Sequence, residues 1–470
     1  MEPKESDFRI AEDSLGSIQV PKDALWGATT QRNKENFRIG PDDLTSQLMP
    51  LQIIRAFGVH KQAAAMANQA LGVLDKVRAA AICRAAAEVA SGQLDDHFPL
   101  CVWQTGSGTA THINVNEVIA RRASQDLKGA GADVTDVYPS DHVNKGQSTN
   151  DSMGTVLHMV VLQAFYQALL PALENLLAHF RDKAERFKNI EKVGRTHLQD
   201  AVNMTLGQEW GTFGALVAGH IDRLKMLSKA LLLLPQGGTA VGTGLNAHPD
   251  FGVRFAQALS KLTGYAFRPH PNPGALISAH DDVVAFGTAL SGLAVTLSKI
   301  FGDIRLSASG PRCGFQELLL PENEPGSSIM PGKVNPSQIE ALLMICVHVQ
   351  GLAHGVMLAG GGGQFQLNVM KPLLAHHLLS MMGLLSSAIQ SVCVHCLEGI
   401  RANPKQLAVD TKKNVMMVTA LTPFVGYELA AKIAKVAYKK DIDIESAAQE
   451  VGPKAVSGFK AWRASQKGKS

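Results

Sequence analysis

Residues 154–189 read GTVLHMVVLQAFYQALLPALENLLAHFRDKAERFKN. Apolar side chains recur at helical spacing throughout, and between Val156 and Leu177 only Glu174 is charged. The stretch exceeds the ~8–20 residues of an ordinary globular helix. It predicts a long helix, kinked at Pro171, with little charge to show to water. Four more stretches share this character: about 206–234, 281–309, 336–359 and 367–400, with Pro372 near the start of the last. Helices of ~25–35 residues span ~40–50 Å. The predicted fold class is therefore mainly α, around a central bundle of long helices. Several of these helices are apolar on more than one face, which implies burial against further copies of the chain.

Outside the bundle the pattern changes. Up to about residue 147 it is broken by turns at Gly16, Pro21, Gly27, Gly40-Pro41 and Pro50, with an Ala-rich helical stretch over 53–90 interrupted near Leu71–Leu74. After about Ala402, helix signals alternate with turns such as Asn403-Pro404 and Gly452-Pro453. The predicted domains are thus 1–147, a mostly helical N-terminal region; 148–402, the long-helix bundle; and 403–470, a small helical C-terminal region. A chain of 470 residues is long enough for two or three such domains.

Composition excludes several function classes. Hydrophobic residues are 46% and charged residues 18%, which suits a globular chain and not a disordered one. The net charge of +4 and the lack of a dense basic run argue against a nucleic-acid partner; Lys460–Lys469 reads as a solvated tail. Six cysteines are scattered, and only Cys393 and Cys396 are close, inside an apolar helical stretch. They read as reduced core thiols of a cytoplasmic protein. The opening Met1–Asp7 is polar, with no apolar segment of the kind signal peptides carry. Residues 341–370 hold no Asp, Glu, Lys or Arg, enough for a membrane span by length. They do hold His348, Gln350, His354, Gln364, Gln366 and Asn368, and they run into Gly360–Gly363. A buried bundle helix ending at glycines fits better than a membrane partner. Gly237–Gly244 is glycine-rich but lacks dinucleotide-binding spacing and follows a helical pattern. No cofactor is expected, and no His/Cys/Asp set has metal-site or iron–sulfur spacing.

Four polar segments join the long helices: Trp103–Thr109 with Asn114–Glu117; Asp141–Asp151; Gly194–Asp200; and Gly326–Pro336. Singly, the first could be a turn, the second a helix cap, and His197 in the third a satisfied core histidine. The fourth, Gly326-Ser-Ser-Ile-Met-Pro-Gly-Lys-Val-Asn-Pro336, is harder to dismiss. Its glycines, prolines and serines suit a mobile loop, and Lys333 and Asn335 lie just before a Pro at a helix start, with Glu340 in the first turns.

This fourth segment resembles the hallmark loop of the fumarase/aspartase superfamily. The other segments occur in that family's order, and the similarity covers roughly residues 8–440. The resemblance implies a three-domain fumarase/aspartase-like fold whose central helices assemble into a multi-helix tetramer core. Arg195-Thr-His197, Pro321-Glu-Asn-Glu-Pro325 and Pro331-Gly-Lys333 resemble the fumarase branch; Asp141-His-Val-Asn144 and Gln147-Ser-Thr-Asn150 lean towards aspartases. The features nearest the chemistry favour a fumarase, which interconverts fumarate and L-malate. An aspartate ammonia-lyase, or a silent homologue serving as a binding protein, is the alternative.

The reaction sets the residue types. Removing the C3 proton of malate leaves a doubly charged aci-carboxylate, so cations and hydrogen-bond donors must face one carboxylate end. The resemblance implies Ser327 as the base, on a loop that stabilises its anion, with Lys333 and Asn335 as donors to the carboxylate. His197 would protonate the leaving hydroxyl, its ring oriented by Glu340. Ser107, Gly108, Thr109, Ser148, Thr149, Asn150, Thr196 and Ser328 would hold the dicarboxylate, in sites shared between subunits of a homotetramer. Where fumarases often carry a second, peripheral dicarboxylate site, this chain reads Tyr138-Pro139-Ser140-Asp141, with Thr135 in place of a basic residue. Tyr138 has no positive charge at neutral pH, so binding there is expected to be weak or absent.

Overall fold

The computed structural model of the chain describes residues 5–39 and 47–466. The Gly40-Pro41 turn and the first and last four residues lie outside these. Among the described residues the fold is mainly α, with only short two-stranded sheets.

The long helices follow the apolar pattern closely. Thr149–Ala164, a π-helical turn at Phe165–Leu169 and Leu170–Arg186 form one continuous helix of 38 residues. The π turn lies just before Pro171. Proline offers no N–H to the carbonyl four residues back, so the hydrogen-bond ladder shifts register there. Leu206–Ser228, Asp281–Ser307, Ser337–Gly360 and Lys371–Val392 are the other long helices. The last starts later than its sequence pattern suggests, because Leu367-Asn368 pairs with Gly363-Gln364 as a small antiparallel ladder. Four helices are long and apolar enough to cross a membrane by length and composition.

Two compact units make up the chain: Met1–Pro171, His220–Val295 and Ile345–Ser387 in the first, and Ala172–Gly219, Thr296–Met344 and Ala388–Ser470 in the second. In the first unit, helices Leu51–Ala70 and Lys76–Ser91 pack at Gly58, where a Cβ would fall 2.5 Å from the Ala90 nitrogen. Only glycine permits that approach. Alanines on both helices (Ala56, Ala63, Ala64, Ala81, Ala85, Ala86) are buried, and helix Thr109–Gly129 adds Val115, Val118 and Ile119 to the core.

In the second unit, Phe180, Trp210, Phe213 and Phe301 form an aromatic core, with Phe180 and Trp210 rings 5.8 Å apart, edge to face. The C-terminal helices have a core of their own, including Leu421, Ile433, Ala447 and Phe459, with Trp462 packed against it. The basic stretch from Lys460 is therefore not simply a tail. It begins within helix Pro453–Gln466, whose apolar residues are needed for that core.

Candidate active site

His197 sits at the tip of a hairpin in the second unit. Strands Glu191–Thr196 and Gln199–Thr205 pair antiparallel with Thr196 opposite Gln199, which leaves His197 and Leu198 as a two-residue turn. Both have left-handed backbones, with φ 57° and 58°. Such turns match the twist of the strands but favour Asn or Gly. Holding a histidine and a leucine there costs on the order of 1 kcal/mol each. The base of the hairpin holds the strain in place. Buried Glu317 bonds the Arg195 guanidinium and lies 2.8 Å from the Lys192 ammonium, which also reaches Glu209 at 2.7 Å. Arg195 in turn lies over the Phe315 ring at 4.5 Å. Thr196 and His197 are thus presented outward on a rigid stem.

The Gly326–Pro336 loop closes on itself in the same unit. A Cβ on Gly326 would lie 1.7 Å from the Lys333 carbonyl oxygen, so the two ends of the loop touch. The Asn335 amide donates to the Gly326 carbonyl across this neck. Inside the loop, the Ser327 Oγ accepts two backbone N–H groups, from Ile329 at 3.3 Å and Met330 at 3.1 Å. Two donors aimed at one hydroxyl oxygen favour its anion. Ser327 is half-buried, and Ser328 and Lys333 are exposed. Glu340, in the first turn of helix Ser337–Gly360, pairs with Arg305 at 2.8 Å. Within one chain its partner is Arg305. A guanidinium so close competes for the carboxylate through charge.

The first unit holds the hydroxyl-bearing positions at two helix starts. Gly108, at φ +84°, precedes helix Thr109–Gly129, and the Ser107 and Thr109 hydroxyls are 2.7 Å apart. Ser148 caps helix Thr149–Ala164, its Oγ accepting the Asn150 N–H at 3.2 Å while its own N–H goes to Asp151 Oδ1 at 3.0 Å. Helix N-termini carry partial positive charge, and hydroxyl donors there suit a carboxylate. Asn150 also serves the fold: its side-chain amide donates to the Ala240 carbonyl at 2.8 Å.

Behind these helix starts lies a buried polar group that the sequence did not announce. Asp151 Oδ2 accepts the N–H groups of Gly237 at 3.0 Å and Thr239 at 2.9 Å, which explains the glycine-rich turn. Burial pushes the Asp151 carboxyl up to about 6 against those donors and Lys61. Lys61 reaches Gln147 Oε1 at 2.8 Å, Asn144 Oδ1 at 3.2 Å and His112 Nε2 at 2.6 Å. His112 Nδ1 lies 2.7 Å from the Thr149 hydroxyl, and Phe57 stacks on its ring at 5.3 Å. Burial holds His112 well below the usual histidine range, with Lys61 and His60 adding to this. His60 is lowered to about 3 by burial and by Lys61, and bonds Gln236 at 2.6 Å. Lys371 is lowered to about 8 by burial. Its ammonium and both ring nitrogens of His280 are buried without hydrogen-bond partners among the described residues. One signal could have found this group: His60 and Lys61 stand together in the Ala-rich stretch Phe57–Ala67 of a helix buried on several sides.

The Tyr138–Asp141 segment opens a π-helical turn, Pro139–Val143. His142 Nδ1 accepts the Tyr138 N–H at 2.9 Å and the two rings stack at 5.5 Å, so the histidine is engaged locally. Burial and nearby Arg78 lower the His142 imidazole, opposed by Asp141. No group of three or more His, Cys, Asp or Glu is placed to hold a metal among the described residues. All six cysteines are free, and burial pushes Cys393 up to about 12 and Cys396 up to about 11.

The chain as a whole is similar to known proteins. A family model described as lyase matches residues 16–351, and one described as fumarase C C-terminus matches residues 417–454. The latter carries the likeness past the limit near 440 expected from sequence. The chain is 48% identical over 457 residues to the class II fumarate hydratase of Thermosynechococcus vestitus, covering 97% of each chain. It is 50% identical to that of Thermus thermophilus, over 95% of each, and 48% identical to mitochondrial fumarate hydratase of Saccharomyces cerevisiae, over 97% of this chain and 93% of the yeast protein. The crystal structure of class II fumarase from Schistosoma mansoni superposes with a TM-score of 0.91 at 38% identity, covering 94% of this chain and 95% of that one. A fumarate lyase:delta crystallin from Brucella melitensis, bound to cobalt, gives 0.90 at 37%, covering 97% and 98%. With its strained His197 hairpin, its Ser327 loop and its helix-start hydroxyls, the chain belongs to the class II fumarate hydratase family of lyases.

Proposed function

We propose that the protein is a fumarate hydratase of the tricarboxylic acid cycle, adding water reversibly to fumarate to give L-malate. The observation that carries this reading is the pair of backbone N–H groups on the Ser327 hydroxyl, which favours its anion and so makes a serine usable as a base. In the malate-to-fumarate direction Ser327 takes the C3 proton, and the electron pair spreads into the adjacent carboxylate as an aci-carboxylate. Lys333 and Asn335, with hydroxyls of Ser107, Thr109, Ser148, Thr149 and Thr196, balance that charge. The C2–O bond then breaks, and His197 supplies the proton with which hydroxide leaves as water. One donor to a developing oxyanion is worth ~2.7–4 kcal/mol of barrier, so several acting together are the main source of rate.

The proposed assembly is a homotetramer with sites shared between subunits. Its support is the apolar surface left on the long helices: Val347 is 69% exposed, Met344 68% and Leu358 65%. Free cysteines support a cytoplasmic location. The division at 147/148 and 402/403 is kept as part of the proposal, supported for the last segment by its separate core. The test is absorbance at the fumarate band with L-malate and L-aspartate supplied separately to purified protein. Fumarate from malate alone is the expected result. Fumarate from aspartate alone would replace the reading with an ammonia-lyase, and none from either would mean a silent homologue.

A further inference from the structure

We propose that Lys61 and His112 are positioning residues that turn the Thr149 hydroxyl proton outward, as a donor for the anionic substrate; this rests on the assignment of Thr149 to the substrate site. With Lys61 as an ammonium, the geometry assigns each proton in turn. Gln147 Nε2 donates to the Val143 and Lys145 carbonyls, both at 3.1 Å, so its Oε1 must face Lys61. Asn144 Nδ2 donates to the Gln147 carbonyl at 3.3 Å, so its Oδ1 faces Lys61 as well. An ammonium has three donors and no acceptor. Two are taken by these amide oxygens, and the third points at His112 Nε2, 2.6 Å away. That nitrogen must then be bare, which puts the ring proton on Nδ1. Nδ1–H donates to Thr149 Oγ1 at 2.7 Å, and the hydroxyl's own proton is left for another acceptor.

A neutral lysine would invert the chain without moving a heavy atom. Its lone pair would accept from Nε2–H, Nδ1 would take the threonine proton, and Thr149 would turn lone pairs towards the substrate. A carboxylate binds the first arrangement and is repelled by the second. The groups facing Lys61 are His60 on its own helix, His112 from helix Thr109–Gly129 and Asp151 from helix Thr149–Ala164. Burial holds the Lys61 ammonium well below the usual lysine range, and the Asp151 carboxylate opposes that shift. A dianionic substrate adds to the favourable side. Phe57 stacks on the His112 ring at an interplanar angle of 17°, which keeps both nitrogens aligned with their partners.

The test is a double-mutant cycle on KM for fumarate and kcat, using the intact enzyme. His112→Phe can keep the stack on Phe57 while removing both hydrogen bonds. It is expected to raise KM about ten-fold, the effect of one hydrogen bond to a charged group, with kcat changed less than about two-fold. Thr149→Val should raise KM similarly, and in that background His112→Phe should add nothing. His112→Gln can accept from Lys61 with its oxygen and donate to Thr149 with its nitrogen. It should bring KM back towards wild type, and it keeps the test open should the Phe variant fail to fold. An effect of His112→Phe that persists in the Thr149→Val background would overturn the relay. So would an unchanged KM in both His112 variants. An unchanged KM in Thr149→Val would instead remove Thr149 from the substrate site, separating failure of that assignment from failure of the relay.

Discussion

The polar group around Lys61 and the outward turns carrying His197 and Ser327 are two different ways of placing reactive atoms. Around Lys61 the side chains bond one another inside the fold, beneath the helix starts that carry Ser107, Thr109, Ser148 and Thr149, while Lys371 and His280 stay buried without partners among the described residues. In the hairpin and loop, His197 and Lys333 are exposed and Ser327 is half-buried, and the backbone is held by anchors behind them: Glu317 under the hairpin, the Gly326–Lys333 contact under the loop. A buried network resists change because breaking it strands a desolvated polar group. An exposed turn can be altered with little effect on stability, and its function depends on what covers it. The first region should therefore answer mutation with loss of stability or a changed KM, the second with loss of rate.

The largest effect is expected at the hairpin tip. His197→Asn should lower turnover by ~10²–10⁴-fold, the usual contribution of acid–base catalysis, with little change in the thermal midpoint because the side chain is exposed. Near-normal turnover would remove His197 from the mechanism. Gly326→Ala comes next: its Cβ would meet the Lys333 carbonyl, so the loop must open and the Ser327 turn with it. A fall in kcat of roughly 10²-fold, as when an oxyanion donor is lost, should accompany an unchanged melting curve. A large fall in stability would mean that the loop, too, belongs to the core.

The buried region should show itself through acid. His60, lowered from 6.5 to about 3, contributes stability that is present above about pH 6.5 and is lost as pH falls through about 3. His112 and His280 are shifted in the same direction. Asp151, raised from 3.8 to about 6, works the other way: its contribution is present below 3.8 and is lost as pH rises through about 6. Three histidines outweigh one carboxyl, so the urea midpoint should drop between pH 6.5 and 4. His60→Gln keeps a donor for Gln236 and should flatten that drop; an unchanged slope would take His60 out of the account. The smallest effect is expected at Tyr138. Tyr138→Ala should leave kcat unchanged, and calorimetry should find one dicarboxylate per subunit. A second would restore the peripheral site.

How much of this was legible in the sequence follows from the range of the interactions. The long helices were, because apolar spacing is local: Asp281–Ser307 and Ser337–Gly360 end within about two residues of their sequence limits. The Ser327 loop stood out because its glycines and prolines lie together. The His197 hairpin did not read as strands, since its residues alternate poorly and its anchor Glu317 is 122 positions from Arg195. Lys61 and His112 are 51 positions apart, and nothing in either helix alone tells that they meet. Glu340 and Arg305 likewise meet only in the fold, from two different helices.

The most direct test of the central claim, that the outward turns work only when subunits cover them, is to measure size and activity together in Val347→Glu. This places a charge on a long-helix face that is exposed in the single chain. A folded, monomeric protein without hydratase activity is the predicted result. A monomer that keeps full activity would contradict the account, because a site completed between subunits could not survive it.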